Sequence, residues 1–458
     1  MHALLTTGLS PMTTTIFAGI LVLMIVALAF EEKLHAKKSL ITGSFALLCL
    51  FVANALAIIP GEAVVRIGDH ALKLPIYIPA IDWGVIAIIL GSSLFVDVTA
   101  RSGLFTYVAI KLTKRSQGDP RKLLIYYGLM TVLFSAVLNN VTAMIIIGSL
   151  TAVSLAKLDR TDKLLGFLLV EGLLTNVGGL LTLISSVPNI IVGDAAGISF
   201  VSFFCFAGPY VALCTAITIW TGARWFDIRS LCDARERQLA AQRVAAFDER
   251  DGVASIGFFW FAAAMTVLFI VAMATTSALP VFRELGLGFV ALLFALIMLL
   301  RYKTEVDAFY KALDWDLLAF FAALFVVISV MEQAQVLDLI GRAIAPLIGL
   351  GPALGAASLL ICAATFSSVT DNIPLAAMLA KILTKLHTNS ASPLWWSVVF
   401  GANLGGNITP IGSASTLVAV TIIHKHGLRL SFGGFVKRAL PFALLQLALA
   451  IGYLLVLL

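Results

Sequence analysis

Four short polar stretches interrupt an otherwise apolar chain: LNNVT at 138–142, NVGGLLTLISSVPN at 176–189, SSVTDNIP at 367–374 and NLGGNITPIGSAST at 403–416. Their residues offer neutral ligands. Asn139, Asn140, Thr142, Asn176, Thr182, Ser185, Ser186 and Asn189 come from the first two stretches. Ser367, Ser368, Thr370, Asn372, Asn403, Asn407, Thr409, Ser413 and Ser415 come from the second two. Amides and hydroxyls of this kind bind ions and small polar solutes without a net charge of their own. Two carboxylates add charge: Asp371 within SSVTDNIP, and Glu171 just before NVGG. Each could bind a cation directly or carry a proton, and carboxylates inside a membrane are functional by default. The structural alternatives are a helix cap for Asp371, which precedes Asn372 and Pro374, a hydrogen bond to a neighbouring helix for Glu171, and close helix packing for the paired glycines.

These residues must be held by membrane helices. The chain of 458 residues is 60% hydrophobic and only 12% charged, where a soluble protein carries about a quarter charged residues. Apolar spans are expected near 14–30, 39–60, 83–101, 164–184, 199–222, 255–275, 281–301, 316–333, 393–411 and 433–457. With no basic start and no small-residue cleavage site before the first apolar run, no signal peptide is expected. The net charge of +6 collects in connecting loops, as it does on the cytoplasmic side of membrane proteins, and does not point to nucleic acid. Lys33, Lys37 and Lys38, then Lys111 to Lys122, the loop 223–252 and Arg301 all fall on one side if the N-terminus is outside. The loop 223–252 mixes both charge signs and reads as a solvated cytoplasmic linker. The five cysteines form no CxxC pair, so neither a disulfide framework nor a metal site is expected.

The polar stretches repeat. NVGGLLTLISSVPNIIV at 176–192 aligns without a gap on NLGGNITPIGSASTLVA at 403–419, an offset of 227 residues. FSAVLNNVT at 134–142 aligns on FSSVTDNIP at 366–374, and Asp82-Trp83 on Asp314-Trp315, both at 232. Five single passes separate Trp83 from Trp315, so the second copy is inverted. LNNVT and SSVTDNIP each lie between apolar arms of about 15 residues, short for two comfortable spans. Each arm pair is expected to be a re-entrant hairpin. TLISSVPN and TPIGSAST break a span from within. Such backbone survives only when buried in protein or lining a wet cavity, so the breaks build a site.

The expected fold is an all-α polytopic membrane protein with two inverted repeats, each holding a re-entrant helical hairpin and a discontinuous transmembrane helix. The expected segments are N-terminal scaffold spans at 1–82 and a first repeat at 83–222, with hairpin 122–157 and broken helix 164–196. After the linker come scaffold spans at 253–313 and a second repeat at 314–458, with hairpin 354–388 and broken helix 393–426. Inverted repeats with broken helices recur in secondary transporters.

The set NNVT, NVGG…SSVPN, SSVTDNIP and NLGGNITPIGSAST resembles the ion transporter superfamily. Within it, the set is similar to the branch of arsenite permeases, NhaD-type sodium/proton antiporters and the melanosomal P protein. TPIGSAST looks most like the arsenite permeases; TDNIP and the glutamate before TNVGG look more like the sodium/proton and P-protein members. Ser186-Val187 stands where the P-protein pattern carries an acidic residue. The resemblance implies a homodimer in the bilayer, with a scaffold domain and a transport domain moving in an elevator-like way. Segments 134–142, 171–189, 366–374 and 403–416 would belong to the transport domain.

The expected function is therefore secondary active transport of a small inorganic ion, coupled to protons by exchange. For sodium, Asp371 and Glu171 would supply charge. For arsenite or antimonite, a neutral hydroxide, the amides and hydroxyls would suffice, and Glu171 or Asp371 would carry the proton. Sodium ions or protons are the transported or coupling ions; no other cofactor is expected. Organic anions of the citrate or dicarboxylate type are the alternative, disfavoured here because no arginine stands at a break and Asp371 would repel them. An ion channel is less compatible with inverted repeats. An enzyme finds no support, since the chain has no HExxH or GxSxG and its six histidines avoid the breaks.

Overall fold

The computed structural model describes residues 10–59, 62–67, 70–250, 252–253 and 255–457. α1 (Pro11–Ala29), a short α2 (Glu31–Leu34) and α3 (Lys38–Ala55) lead into an antiparallel ribbon, β1 (Glu62–Ile67) and β2 (His70–Pro75). α4 (Trp83–Arg101), α5 (Leu104–Ser116), the pair α6 (Pro120–Val137) and α7 (Asn140–Lys157), the interrupted pair α8 (Leu164–Gly178) and α9 (Val187–Ala196), and α10 (Phe200–Trp225) follow. After α11 (Ala234–Ala245), α12 (Ile256–Thr275), α13 (Pro280–Arg301) and α14 (Val306–Ala312), the pattern returns. It runs through α15 (Trp315–Gln333), α16 (Val336–Ile348), the pair α17 (Pro352–Ser367) and α18 (Asn372–Lys385), the interrupted pair α19 (Pro393–Gly405) and α20 (Ala414–Lys425), and α21 (Phe432–Leu457). Among the described residues nine helices are long and apolar enough to cross a membrane. The chain is thus an almost entirely helical, multi-pass membrane protein.

Local chemistry explains where the helices start and stop. Asp82 caps α4 by accepting from the Val85 amide at 3.1 Å, and Asp314 caps α15 from Leu317 at 3.0 Å. Asp119 caps α6 from Lys122 at 2.9 Å, with Pro120 in the first turn. Asn139 caps α7 from Thr142 at 2.9 Å, and Asp371 caps α18 from Ile373 at 3.0 Å. Pro188 opens α9 where the Ser186 backbone is extended, at φ −143°. Pro209 and Pro441 stand within the two long helices that close each half, α10 and α21.

The contacts repeat in the register of the sequence. Ser135 Oγ donates to the Thr175 carbonyl at 2.6 Å, and Ser367 Oγ to the Ala402 carbonyl at 2.5 Å. Thr182 Oγ1 donates to the Ala136 carbonyl at 2.6 Å, and Thr409 Oγ1 to the Ser368 carbonyl. The Trp83 indole donates to Ile78 and the Trp315 indole to Tyr310. Helix pairing is exchanged between the halves: α3 packs on α15, and α13 on α4. Gly91 allows the second approach, since a Cβ there would sit 2.5 Å from the Ala291 carbonyl carbon.

Four features depart from the sequence reading. The loop after α3 holds the ribbon. Each half adds a short helix, α5 or α16, before its hairpin. The arms of the first hairpin are 18 residues each, longer than expected. The linker is not a plain solvated connector: α11 is docked beneath the hairpin, with Arg243 bonding the Leu158 carbonyl at 3.1 Å and Asp159 at 2.7 Å.

The paired glycines serve packing. A Cβ on Gly178 would meet Val132 Cα at 2.7 Å, and one on Gly405 would meet the Ala364 carbonyl oxygen. Gly405→Val should therefore force hairpin and broken helix apart, at about 1–3 kcal/mol. A clear fall in the apparent melting temperature of the purified protein is expected, while Gly19→Ala, which meets nothing within 4 Å, should leave it unchanged. An unchanged Gly405→Val would show that this approach does not support the fold.

Candidate functional site

Both hairpin tips and both helix breaks meet at one cavity of about 780 Å³. Asn139 and Asn140 reach it from the first tip, Asn372 from the second, Ser185 and Ser186 from the first break, and Ser413 and Ser415 from the second. The opposite wall comes from the other side of the molecule: His35, Lys37 and Lys38 before and at the start of α3, and Asp314, Asp316 and Phe320 at the start of α15.

Beneath the cavity the breaks are tied together by amides. Asn176 Oδ1 accepts from Ser413 Oγ at 2.9 Å and from Ser415 Oγ at 3.3 Å. Asn403 Oδ1 accepts from Ser186 Oγ at 2.7 Å. These are the same contact seen from each half, because Ser186 aligns with Ser413 and Asn176 with Asn403. Asn403 also donates to Asn189 at 2.9 Å, and Asn189 donates on to the Gly179 and Thr182 carbonyls at 2.6 and 2.9 Å. Ser185 serves the same two carbonyls. Asn176 donates to Asn407 at 2.8 Å. Asn407 then donates to the Leu173 carbonyl at 3.1 Å and to Gln446 at 2.7 Å. Asn140 joins from the hairpin, accepting from Ser135 at 2.5 Å and donating to Asn176 at 3.4 Å. The first tip is thus level with the interior of α8, and the hairpin turns inside the molecule.

Several expected ligands have other duties. Thr182, Ser367 and Thr409 staple breaks to hairpins. Thr142 gives its amide to the Asn139 cap, while Ser368 and Thr370 bond back to their own helix at 2.7 Å each. Asp371 does not face the cavity. Its Oδ1 caps α18, and its Oδ2 lies 2.6 Å from Lys38 Nζ across the boundary between α18 and α3. Glu171 is fully buried below the cavity, accepting from Thr151 Oγ1 at 2.7 Å. Gln446 was missed. Its signal was present, as the one amide in the apolar stretch of α21 that follows Lys437 and Arg438.

The fold and site are those of a membrane transporter with helices broken around a central cavity. Solved transporters share the fold. The YdaH transporter of Alcanivorax borkumensis superposes with a TM-score of 0.59 at 14% identity, covering 92% of this chain and 98% of its own. Neisseria gonorrhoeae MtrF, described with a class of antimetabolite efflux pumps, gives 0.58 at 14%, covering 98% and 95%. By sequence, residues 25–401 match the CitMHS citrate transporter family, and the chain belongs to that family. A 46 kDa membrane protein of Mycobacterium leprae is 30% identical over 82% of this chain and 86% of its own length. The human P protein is 27% identical over 97% of this chain and 59% of its own. The family places the chain among transporters, not enzymes.

The Lys38–Asp371 pair joins two bodies through half-buried charges. Removing one partner strands the other. Lys38→Met should therefore lower the melting temperature, and Lys38→Met combined with Asp371→Asn should recover part of the loss. Strictly additive losses in this cycle would show the two groups to be energetically independent.

Proposed function

We propose that the chain is a proton-coupled secondary transporter of a small anion of the citrate type, working by alternating access. One observation carries this reading: the helices α7, α9, α18 and α20 all begin at the cavity, through residues 139–141, 186–188, 372–373 and 413–415. Helix N-termini present unpaired amides and the positive end of the dipole, and so attract anions. Discontinuous helices in transporters use the same device for substrate carboxylates.

Three carboxylates line the cavity, Glu31, Asp314 and Asp316, and Lys37 and Lys38 line it with them. Asp314 caps α15, Asp316 accepts from Ser39 at 2.5 Å, and Glu31 lies 3.9 Å from Lys38. Asp371, which would have repelled an anion, is held away by Lys38. The two charges on which a sodium site would depend are thus a paired Asp371 and a Glu171 outside the cavity. The family name, a citrate transporter, agrees with the anion reading.

The wall opposite the breaks uses the basic end of α3, which the positive-inside rule assigns to the cytoplasm. The second hairpin tip reaches that level through Asp371. We read this as an inward-open state, with hairpins and breaks as the moving domain and α3, α4, α13 and α15 as part of the scaffold of an elevator, assembled as a homodimer.

A neutral hydroxide such as arsenite would meet the same amides and hydroxyls, so arsenite and sodium belong in the same assay. In liposomes loaded with citrate, the purified protein should exchange internal citrate for labelled citrate. Asn372→Ala should raise the half-saturating concentration about tenfold, the equivalent of one hydrogen bond to a charged group. Wild-type protein that moves arsenite or sodium but no citrate would replace the anion reading.

A further inference from the structure

The proton coupling in that reading needs a proton site, and the carboxylates that line the cavity are engaged by the α15 cap, by Ser39 and by Lys38. We propose that Glu171 binds the coupling proton, and that Thr113, Tyr127, Ser154 and Thr151 form its hydroxyl route from the basic side of α5.

Glu171, Thr113, Thr151 and Ser154 are all fully buried, and so is Tyr127. Thr113 Oγ1 lies 2.6 Å from Tyr127 Oη, which lies 2.8 Å from Ser154 Oγ. Ser154 stands one turn beyond Thr151 on α7, and Thr151 donates to Glu171 Oε1 at 2.7 Å. Side chains three apart on a helix are neighbours, so hydroxyl rotation or one water spans that step. Glu171 Oε2 has no hydrogen-bond partner among the described residues. A structural carboxyl would use both oxygens; this one keeps an open position.

The two hairpins have diverged widely in sequence, and the polar row is one of the differences. In the register that matches both repeats, Thr113, Tyr127, Thr151, Ser154 and Glu171 fall on Ala345, Leu359, Leu383, Leu386 and Val398. Leu359, Leu383 and Val398 are buried as their counterparts are. Ala345 and Leu386 are exposed where Thr113 and Ser154 are buried, so the second half offers an apolar substitute at only three of the five positions. Polar groups buried inside a membrane protein are costly and functional by default.

Other charges are accounted for. Of the groups packed around Glu171, Tyr127 of α6 is titratable and in the chain itself. Lys157 at the end of α7 lies over the Phe247 ring. His424 of α20 bonds the Leu430 carbonyl at 2.9 Å, and Cys214 of α10 lies beside the Tyr210 hydroxyl. Opposite Glu171's own turn, α20 presents Ala419, 3.0 Å from where a Gly172 Cβ would be.

The link to the cavity is short. One turn beyond Glu171, Thr175 Oγ1 donates to Ser415 at 2.9 Å, and Ser415 lines the cavity. In the transfer, a proton from water reaches Thr113, which at rest donates to the Ala109 carbonyl at 2.9 Å, and each hydroxyl then accepts from one neighbour and releases its own proton to the next. The net change is one proton on the Glu171 carboxylate, with no other bond altered.

The test uses the full chain and two readouts. In liposomes, citrate exchange at equal pH needs no net proton movement, whereas uptake driven by a pH gradient does. Glu171→Gln, which keeps the Thr151 bond, should retain exchange within about twofold and lose gradient-driven uptake at least tenfold. Loss of both, or of neither, overturns the proposal. The second readout needs no substrate, so it separates this proposal from the anion reading. The infrared carboxyl band of purified protein that is missing in Glu171→Gln should titrate with pH. Its shift on transfer to heavy water should slow in Tyr127→Phe. A band that never titrates, or exchanges equally fast without the tyrosine hydroxyl, overturns the proposal even if citrate proves not to be carried.

Discussion

The structure depends on the need to satisfy two interrupted helices inside a bilayer. Between α8 and α9, and between α19 and α20, the carbonyls and amides of the break have no helical partner and no surrounding water. Each such group left bare costs several kcal/mol. The chain meets this with asparagine, which donates and accepts without charge. Asn189 and Ser185 close the Gly179 and Thr182 carbonyls of the first break. Ser186 and Ser413 each reach the asparagine of the opposite half. Neither break is complete without the other, so the four polar stretches form one body.

That solution sets the electrostatics. Once the breaks are closed by neutral amides, the field at the cavity is that of the helix ends together with Lys37, Lys38, Glu31, Asp314 and Asp316 on the opposite wall. Four of the helix ends are N-termini. In the anion reading proposed above, these helix ends take the part that an arginine would otherwise play. The Lys38–Asp371 pair acts in the same direction, because it removes the one carboxylate near the tips from the cavity.

Much of this was legible. The hairpins, the breaks and their pairing followed from NNVT, TDNIP and the two GG stretches, because polar residues at matched offsets in apolar surroundings have few other causes. Cavity residues Asn140, Ser186, Asn372 and Ser413 were found on the same grounds. What failed was the direction of Asp371. Its helix capping was readable from TDNIP, but its partner Lys38 stands 333 residues away, and only the folded chain brings them together. The short helices α5 and α16 were hidden for a different reason: amphipathic segments of 13 residues are neither spans nor loops by hydropathy. Gln446 was overlooked because a lone amide in an apolar helix lacks the repeat that made the others visible.

The buried polar groups without a polar counterpart run through α5, α6 and α7 to the carboxyl of α8. Substrate at the centre of two related halves can be released to either side by equivalent movements, so the matched contacts of tips and breaks suit alternating access. Coupling asks for something the symmetric frame lacks. α8 carries Glu171, gives the Leu173 carbonyl to Asn407, joins Thr175 to Ser415 and holds Asn176 in its last turn. Its counterpart α19 has Val398 in the place of the carboxyl. A change of charge on α8 is thus one turn from two side chains that touch the cavity wall, and no equivalent exists across the axis.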